Sequence, residues 1–228
     1  MANLCIIPAR GGSKRIPRKN IKDFLGKPII AYSIAAALKS AIFDEVMVST
    51  DDEEIAEIAK MYGASVPFLR SVETANDFAT TMDVIVEVID TYQQKGDSFE
   101  HVCCLYSCAP FVNEVKIKEG FDILTKNNFD TVFPVLPFGT PIQRALSLED
   151  SKLSFKNPEF EVARSQDLKE HYHDAGQFYW LKEGAIKMRK IVNENTGAIV
   201  LSELEAQDID NEIDWKIAEL KYTLLNDK

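Results

Sequence analysis

The sequence lacks any apolar stretch long enough to span a lipid bilayer. Its N-terminal region also lacks the apolar core and the cleavage site that mark a secretory signal peptide. Internal repeats and low-complexity segments are absent as well. We therefore expect a globular, cytoplasmic protein that has no membrane partner.

Positive charge is also in short supply, because 26 Lys and Arg residues face 36 Asp and Glu residues, which gives a formal net charge of −10. Wrapping a nucleic-acid backbone usually requires a broad basic face, so we expect no nucleic-acid partner. The chain has 228 residues, of which 46% are hydrophobic and 27% are charged. This length and composition suit one domain with a sizeable core.

Cysteine is scarce, and its four residues lie in or beside apolar runs: Cys5, Cys103, Cys104 and Cys108. Cys103 and Cys104 are adjacent in a strand-like run, where successive side chains point to opposite faces, so they cannot form an ordinary disulfide. We expect all four to be reduced thiols in the core of a cytoplasmic protein, rather than metal ligands or redox groups.

The positive charge that is present is concentrated in one segment. Residues 1–30 contain seven basic residues and one acidic residue, so they carry +6, while the other 198 residues sum to −16. Five of these basic side chains lie in "IPARGGSKRIPRKN", residues 7–20, directly after the apolar run "LCII". A solvated surface turn is one interpretation of such a cluster. Its position after a strand and its Gly-Gly pair favour a site for a small, strongly anionic ligand.

Short apolar runs alternate with amphipathic patterns along most of the chain. The runs "NLCIIPA", "EVMVST", "HVCCLYS" and "DTVFPVLP" are typical of buried strands, and "ASVPF", "AGQFYWL" and "GAIVLS" predict further strands. The segments between them, such as "EEIAEIAKMYG", have helical periodicity. This alternation predicts an α/β fold, with a Rossmann-like, mostly parallel sheet and helices on both faces. The ligand site of such a sheet lies at the carboxyl ends of its strands.

Residues 139–174 break this rhythm, because they are polar, contain short β-like pieces and lack a long periodic helix. A structureless loop of that length is unusual inside a compact domain. We therefore expect a single domain over residues 1–228 that carries an inserted hairpin or dimerisation arm at about 139–174. Such a polar insertion has too little apolar content for a core of its own, which predicts that it packs on a second copy in a homodimer.

The basic loop contains the residue types that hold phosphate groups. A Gly-rich turn after a strand presents backbone N–H groups to phosphate oxygens, and Gly11 and Gly12 allow a positive φ and a close approach of the backbone. Arg10 can donate a forked pair of hydrogen bonds. Further donors come from Ser13, Lys14 and Lys19. The loop matches neither the Walker nor the dinucleotide pattern, so the residues alone predict a phosphate-rich nucleotide at the end of the first strand.

Longer motifs add a family resemblance. They are "IPARGGSKRIPRKNIKDFLGKPII", "STDD" at 49–52, "DFATTMDV" at 77–84, "ARSQDL" at 163–168 and "DIDNEIDW" at 208–215. In these motifs the sequence resembles the CMP-sialate synthetases (acylneuraminate cytidylyltransferases), and "TPIQRAL" and "HYHDAGQFYWL" are most similar to the family members that act on pseudaminic acid. The resemblance implies the fold of the nucleotide-diphospho-sugar transferases. It also implies a reaction in which CTP and a nine-carbon sugar acid give a CMP-sugar and pyrophosphate, with Mg²⁺.

The resemblance also implies site residues, position by position. The phosphate- and nucleotide-binding loop of the family matches Arg10, Ser13, Lys19 and Asn20. A residue beside the cytosine matches Arg70, and a small hydroxyl residue near the ribose matches Thr81. The paired metal-binding aspartates match Asp208 and Asp210. An arginine near the sugar matches Arg164, so the resemblance implies that the arm at about 139–174 binds sugar as well as a second copy. Of these, Arg10, Lys19 and Asp210 are the catalytic candidates.

Two departures from the sialate pattern concern the sugar. The stretch "LYSCAP" has Tyr106 where sialate enzymes have a sugar-contacting Gln, and His173 stands where they tend to have Arg. Both residues are therefore candidates for substrate binding. The departures put sialic acid in question and fit a different nonulosonic acid.

The Asp208–Asp210 pair has a second interpretation from the residues alone. Asp210 or Asn211 could cap the helix "EIDWKIAEL", with Asp214 completing a capping pair. The phosphate loop favours metal, because Mg²⁺ bridging a triphosphate binds a few carboxylates, waters and phosphate oxygens.

The expected reaction is attack of the sugar's anomeric hydroxyl on the α-phosphorus of CTP, with catalysis mainly by positioning and charge neutralisation. Two alternatives stay open. The first is a cytidylyltransferase for N-acetylneuraminate or an octulosonate. The second is a catalytically silent nucleotide-binding module.

Overall fold

The computed structural model describes residues 2–226, and a seven-stranded sheet forms its centre. The strands are β1 (Asn3–Pro8), β2 (Asp23–Phe24), β3 (Lys27–Pro28), β4 (Glu45–Ser49), β5 (His101–Leu105), β6 (Thr131–Pro137), β7 (Leu146–Glu149), β8 (Lys152–Phe155), β9 (Tyr172–Asp174), β10 (Phe178–Lys182) and β11 (Thr196–Val200). The helices are α1 (Ile30–Ser40), α2 (Glu53–Met61), α3 (Val72–Ala75), α4 (Thr81–Gln94), α5 (Glu114–Lys126), α6 (Glu183–Met188) and α7 (Glu212–Asn226).

The central sheet has the strand order β11-β6-β10-β5-β1-β4, and β9 pairs with the end of β6. Strand β1 is parallel to β4 and β5, and β6 is parallel to β11. Strand β10 is antiparallel to both of its neighbours, β5 and β6. The prediction of a mostly parallel sheet is therefore confirmed, with an antiparallel strand at its centre.

Helices cover both faces of this sheet, as predicted. Leu4 and Ile6 of β1 lie in one apolar cluster with α4 and α6. Cys5 and Ile7 point the other way, into a cluster with α1, α2 and α5. Helix α5 lies close to the sheet because Gly120 has no side chain, since a Cβ there would stand 2.9 Å from Trp180.

The cysteines follow the same alternation. Cys103 lies in the cluster with Cys5, and Cys104 lies on the opposite face of β5. All four cysteines are free, and Cys108 is only partly buried.

A third apolar cluster lies away from the sheet and joins the two ends of the chain. Ile16 of the basic loop and Phe24 of the β2–β3 hairpin pack against Trp215 and Ala218 of α7. Ile209 is buried in the same cluster. This packing brings residues 207–211 next to the basic loop, although almost 200 positions separate them in the sequence.

The arm contains a two-stranded hairpin, β7–β8, that is separate from the central sheet, and then returns to the sheet through β9. Single 3₁₀ turns at 142–144, 158–160 and 165–167 make up much of the rest. Leu148 and Leu153 face each other across the hairpin and are 68% and 66% exposed.

Some local predictions are wrong. "ASVPF" does not form a strand, and Ser65 makes only an isolated bridge to Met47. Residues 175–177 of "AGQFYWL" lie between β9 and β10 and are not part of a strand, and Gly176 there has φ +63. Within residues 2–226, every helix is too short or too polar to cross a lipid bilayer.

Candidate functional site

A cavity of about 380 Å³ opens at the carboxyl ends of β1 and β5. The basic loop, the segment 70–81, the residues after β5 and the segment 207–210 surround it. The nucleotide-binding positions implied by the resemblance all line it: Arg10, Ser13, Lys19, Asn20, Arg70 and Thr81. Tyr106, Asp208 and Asp210 line it as well. Packing thus gathers nine of the eleven candidate residues around one cavity at the expected end of the sheet.

The two other candidates lie on the arm, outside the described lining of this cavity. Arg164 is exposed beside the 3₁₀ turn at 165–167. His173 of β9 is exposed, and its ring packs on Phe138 with 5.0 Å between centroids. Within a single chain, neither side chain meets the nucleotide-binding positions.

Acidic residues at the end of β4 hold the glycine turn of the basic loop. The backbone N–H of Gly11 donates to Asp51 at 2.9 Å, and a Cβ on Gly11 would stand 2.7 Å from Asp52. Asp52 also caps α2 and pairs with Arg18, which keeps the pKa of this carboxyl below its usual range. Gly11 and Gly12 do not use the positive φ that glycine allows, and the left-handed residue of the loop is Arg18, with φ 54. Gly11 is instead needed for the close approach of Asp52.

Asn20 is buried and connects the loop to the end of β5. Its Nδ2 donates to the carbonyl oxygen of Arg10 at 2.8 Å, and its Oδ1 accepts hydrogen bonds from Ser107 at 2.8 Å and Cys108 at 3.3 Å. Because both the nitrogen and the oxygen of this amide have hydrogen-bond partners, Asn20 fixes the backbone at Arg10 and thereby places the Arg10 guanidinium at the cavity.

Lys19 connects the loop to the two aspartates. Its Nζ donates to the carbonyl oxygen of Ile209 at 2.7 Å. Asp210 forms an ion pair with Arg15 at 2.7 Å. Burial, together with the nearby charge of Asp210, raises the pKa of Asp208. The cap of α7 belongs to Asn211, whose Oδ1 accepts from the N–H groups of Ile213 and Asp214, so the Asp210 carboxylate is not needed as a cap.

The carboxylates of Asp208 and Asp210 fit a Mg²⁺ ion whose other ligands come from the substrate and from water. Two carboxylates that repel each other lie beside a cavity rich in cations, and within residues 2–226 no cluster of three or more His, Cys, Asp or Glu side chains could hold a metal alone. Mg²⁺ typically binds one or two carboxylates and takes its other ligands from water and phosphate oxygens.

Arg70 and Tyr106 form the inner wall of the cavity. Arg70 is 8% exposed, and its Nε and one terminal nitrogen donate to Ser49 at 3.0 and 2.5 Å. Burial lowers the pKa of this guanidinium from a very high ordinary value, so it remains a cation. The Tyr106 hydroxyl lies 2.8 Å from Oγ1 of Thr81, and burial raises the pKa of the phenol. This part of the cavity lining is therefore polar and held by hydrogen bonds.

Asp77 is not among the predicted site residues, although it is the first residue of the motif "DFATTMDV". Its carboxylate accepts from Arg10 at 2.7 Å and also pairs with Lys14, which together lower its pKa. Two further lining residues had no predicted role: Gly176, which lies within "HYHDAGQFYWL", and Gln207. The contact of Asp77 with Arg10 spans 67 positions, so no local pattern could have revealed it.

Comparisons with known proteins show the family and the fold of the chain. A family model described as cytidylyltransferase matches residues 4–222. The chain is 44% identical to a pseudaminic acid cytidylyltransferase of Campylobacter jejuni over 97% of each protein. It is 35% identical to a CMP-N,N'-diacetyllegionaminic acid synthase of Legionella pneumophila, over 96% of this chain and 95% of that one. The fold is similar to a solved CMP:2-keto-3-deoxy-manno-octonic acid synthetase complexed with CTP, with a TM-score of 0.71, 16% identity and complete coverage of both chains.

Proposed function

The chain belongs to the cytidylyltransferase family, and we propose that it transfers the cytidylyl group of CTP to pseudaminic acid, giving the CMP-sugar and pyrophosphate. The observation that carries this proposal is the cavity itself, where a basic loop faces a carboxylate pair at the carboxyl ends of β1 and β5. The relatives that are named for this reaction match almost the whole chain.

We assign the phosphates of CTP to the basic loop. Arg10, Lys14 and Lys19 supply positive charge on one side of the cavity, and Ser13 supplies a hydroxyl. Arg70 and Thr81 also line the cavity, which suits the cytosine and ribose roles that the family resemblance gives them. The nucleotide would therefore lie in this cavity, with its phosphates towards the loop.

The residues that would hold Mg²⁺ are Asp208 and Asp210. When bound there, the metal supplies charge neutralisation at the phosphate oxygens. Arg10 and Lys19 stabilise the charge that develops on the leaving pyrophosphate, and Asn20 keeps Arg10 in place. The cavity lining around Tyr106 would hold the sugar hydroxyl in line with the α-phosphorus.

We also propose that the protein is a homodimer whose arm contributes to sugar binding. Arg164 and His173 lie outside the cavity of their own chain, which suits an arm that reaches a second copy. The exposed leucines of the β7–β8 hairpin provide an apolar surface for that contact. Four free thiols support a cytoplasmic location.

Pyrophosphate release with CTP and Mg²⁺, measured against a panel of sugar acids, tests the proposal. We expect kcat/KM for pseudaminic acid to exceed that for N-acetylneuraminate by at least about tenfold, because an enzyme site that is built for one pattern of polar groups discriminates strongly against another. Comparable values for both sugars would remove pseudaminic acid as the preferred substrate. A preference for an octulosonate would support that alternative, and lack of turnover with every sugar would support a silent nucleotide-binding module.

A further inference from the structure

Asp77 lies among the cations of the proposed phosphate site. One of its oxygens accepts a hydrogen bond from Arg10 at 2.7 Å, and the other accepts one from Lys14. All three residues line the cavity. A carboxylate is unexpected here, because it occupies the donors that the phosphate oxygens of the substrate would use.

The chain on both sides of Asp77 fixes its backbone. Asn76 Oδ1 accepts hydrogen bonds from the N–H groups of Phe78 and Ala79 at 2.7 and 3.0 Å. Directly after this turn, Thr80 and Asp83 form a capping box that begins α4. The turn therefore has its own hydrogen bonds and does not depend on the ion pairs of Asp77 for its shape.

The ion pairs themselves are open to solvent. The side chains of Arg10, Asp77 and Lys14 are 34%, 39% and 76% exposed. Ion pairs of this kind are weak, since water and salt screen them. A highly charged phosphate ligand can therefore displace the single carboxylate.

We propose that Asp77 is an exchangeable counter-ion of the phosphate site. It neutralises Arg10 and Lys14 in the free enzyme, gives these cations up when the triphosphate binds, and pairs with them again as pyrophosphate leaves. Its effect on the reaction is to weaken the binding of phosphate ligands and to speed product release. This inference rests on the proposed function, which assigns the phosphates to the same loop.

The matched pair Asp77→Asn and Glu73→Gln tests the inference. Both variants remove one negative charge from the same segment, but Glu73 is exposed and forms no ion pair with the loop among the described residues. Binding of CTP and of pyrophosphate is measured by calorimetry with Mg²⁺, and pyrophosphate inhibition is measured in steady-state turnover. We expect Asp77→Asn to lower Kd for both ligands and the inhibition constant of pyrophosphate by roughly three- to tenfold, and Glu73→Gln to change them by less than about twofold.

A double-mutant cycle with Lys14→Ala separates this exchange from a structural effect. If Asp77 competes for Lys14, the gain from Asp77→Asn must be smaller in the Lys14→Ala background, whatever the thermal midpoints of the variants are. Equal tightening in Asp77→Asn and Glu73→Gln, or weaker binding in Asp77→Asn, would overturn the inference. So would unchanged constants in a variant that is folded.

Failure of the phosphate assignment gives a different result. In that case the wild-type protein would bind neither CTP nor pyrophosphate, and the counter-ion would fall together with that assignment, whereas CTP binding without turnover of pseudaminic acid would overturn the proposed substrate alone. Normal binding and turnover in the wild type with no response to Asp77→Asn would remove the counter-ion alone.

Discussion

Replacing Asp210 with alanine should remove most of the turnover while leaving the stability almost unchanged. The side chain is 39% exposed, and its partner Arg15 is 69% exposed. An exposed ion pair contributes about 0–1 kcal/mol to the free energy of unfolding. In a chain of this size, 1 kcal/mol shifts Tm by roughly 2–4 °C, so Asp210→Ala should lower Tm by no more than about that amount.

The expected effect on catalysis is much larger. If Asp210 helps to hold Mg²⁺ against the phosphates, its loss removes several kcal/mol of charge stabilisation in the transition state. That corresponds to a fall in kcat of roughly a hundredfold or more. CTP can still bind to the basic loop, so KM for CTP should change far less than kcat.

Asp214→Ala is the matched control, because this residue lies four positions away at the same end of α7. Its Oδ2 accepts from the backbone N–H groups of Asp210 and Asn211, both at 3.0 Å. Loss of a helix-capping carboxylate costs about 1 kcal/mol. We therefore expect Asp214→Ala to lower Tm more than Asp210→Ala does, and to reduce kcat by less than about fivefold.

Thermal midpoint and turnover at saturating Mg²⁺ are to be measured on the same sample of each variant. Near-normal kcat in Asp210→Ala would refute the proposed metal role. Equal losses of kcat in both variants would also refute it, because they would show that the shape of the helix terminus, rather than the carboxylate of Asp210, controls activity.

Two further predictions concern the core and the arm. His101 is 4% exposed, and its Nδ1 donates a hydrogen bond to Oδ1 of Asn3 at 3.0 Å. Burial lowers the pKa of His101 below the ordinary value of about 6.5, so the unfolded chain takes up the proton first as the pH falls. The free energy of unfolding should therefore decrease below about pH 6.5, by at most about 1.4 kcal/mol per pH unit. Urea unfolding at pH 7.5 and 5.5 should show a smaller decrease in His101→Gln than in the wild type. Equal decreases in the two proteins would assign the effect to other groups. Leu148→Lys combined with Leu153→Lys places two charges on the exposed face of the β7–β8 hairpin, so sedimentation at micromolar concentration should change from dimer to monomer while CTP binding persists. A wild-type protein that sediments as a monomer would contradict the proposed dimer.

Local patterns predicted much of the fold. The runs that became β1, β4, β5 and β6 are almost continuously apolar because the sheet buries both of their faces. Helix α2 was predicted by the helical periodicity of "EEIAEIAKMYG". The prediction failed for "ASVPF", which has residues typical of a strand. Only Ser65 of this segment forms a bridge to the sheet, at Met47.

The candidate site was predicted as a set of residues but not as an arrangement. That the basic loop lines a ligand cavity could be predicted from its charge and glycine content, and that Asp208 and Asp210 lie there could be predicted from the family motif. Asp77 could not be given a role, because its partners lie on a loop that is more than sixty positions away.

The sequence by itself therefore determined the strand and helix segments, the concentration of positive charge after β1 and the family resemblance, since all of these are written in neighbouring residues. Only the tertiary structure decided that β10 runs antiparallel at the centre of the sheet, because periodicity shows which faces are buried and not which strand lies alongside. It also decided that Lys19 meets Ile209, through the packing of Phe24 on Trp215. That packing brings the cations of the first 20 residues and the carboxylates of the last 21 to one cavity, because burying the apolar face of α7 requires the β2–β3 hairpin as its partner.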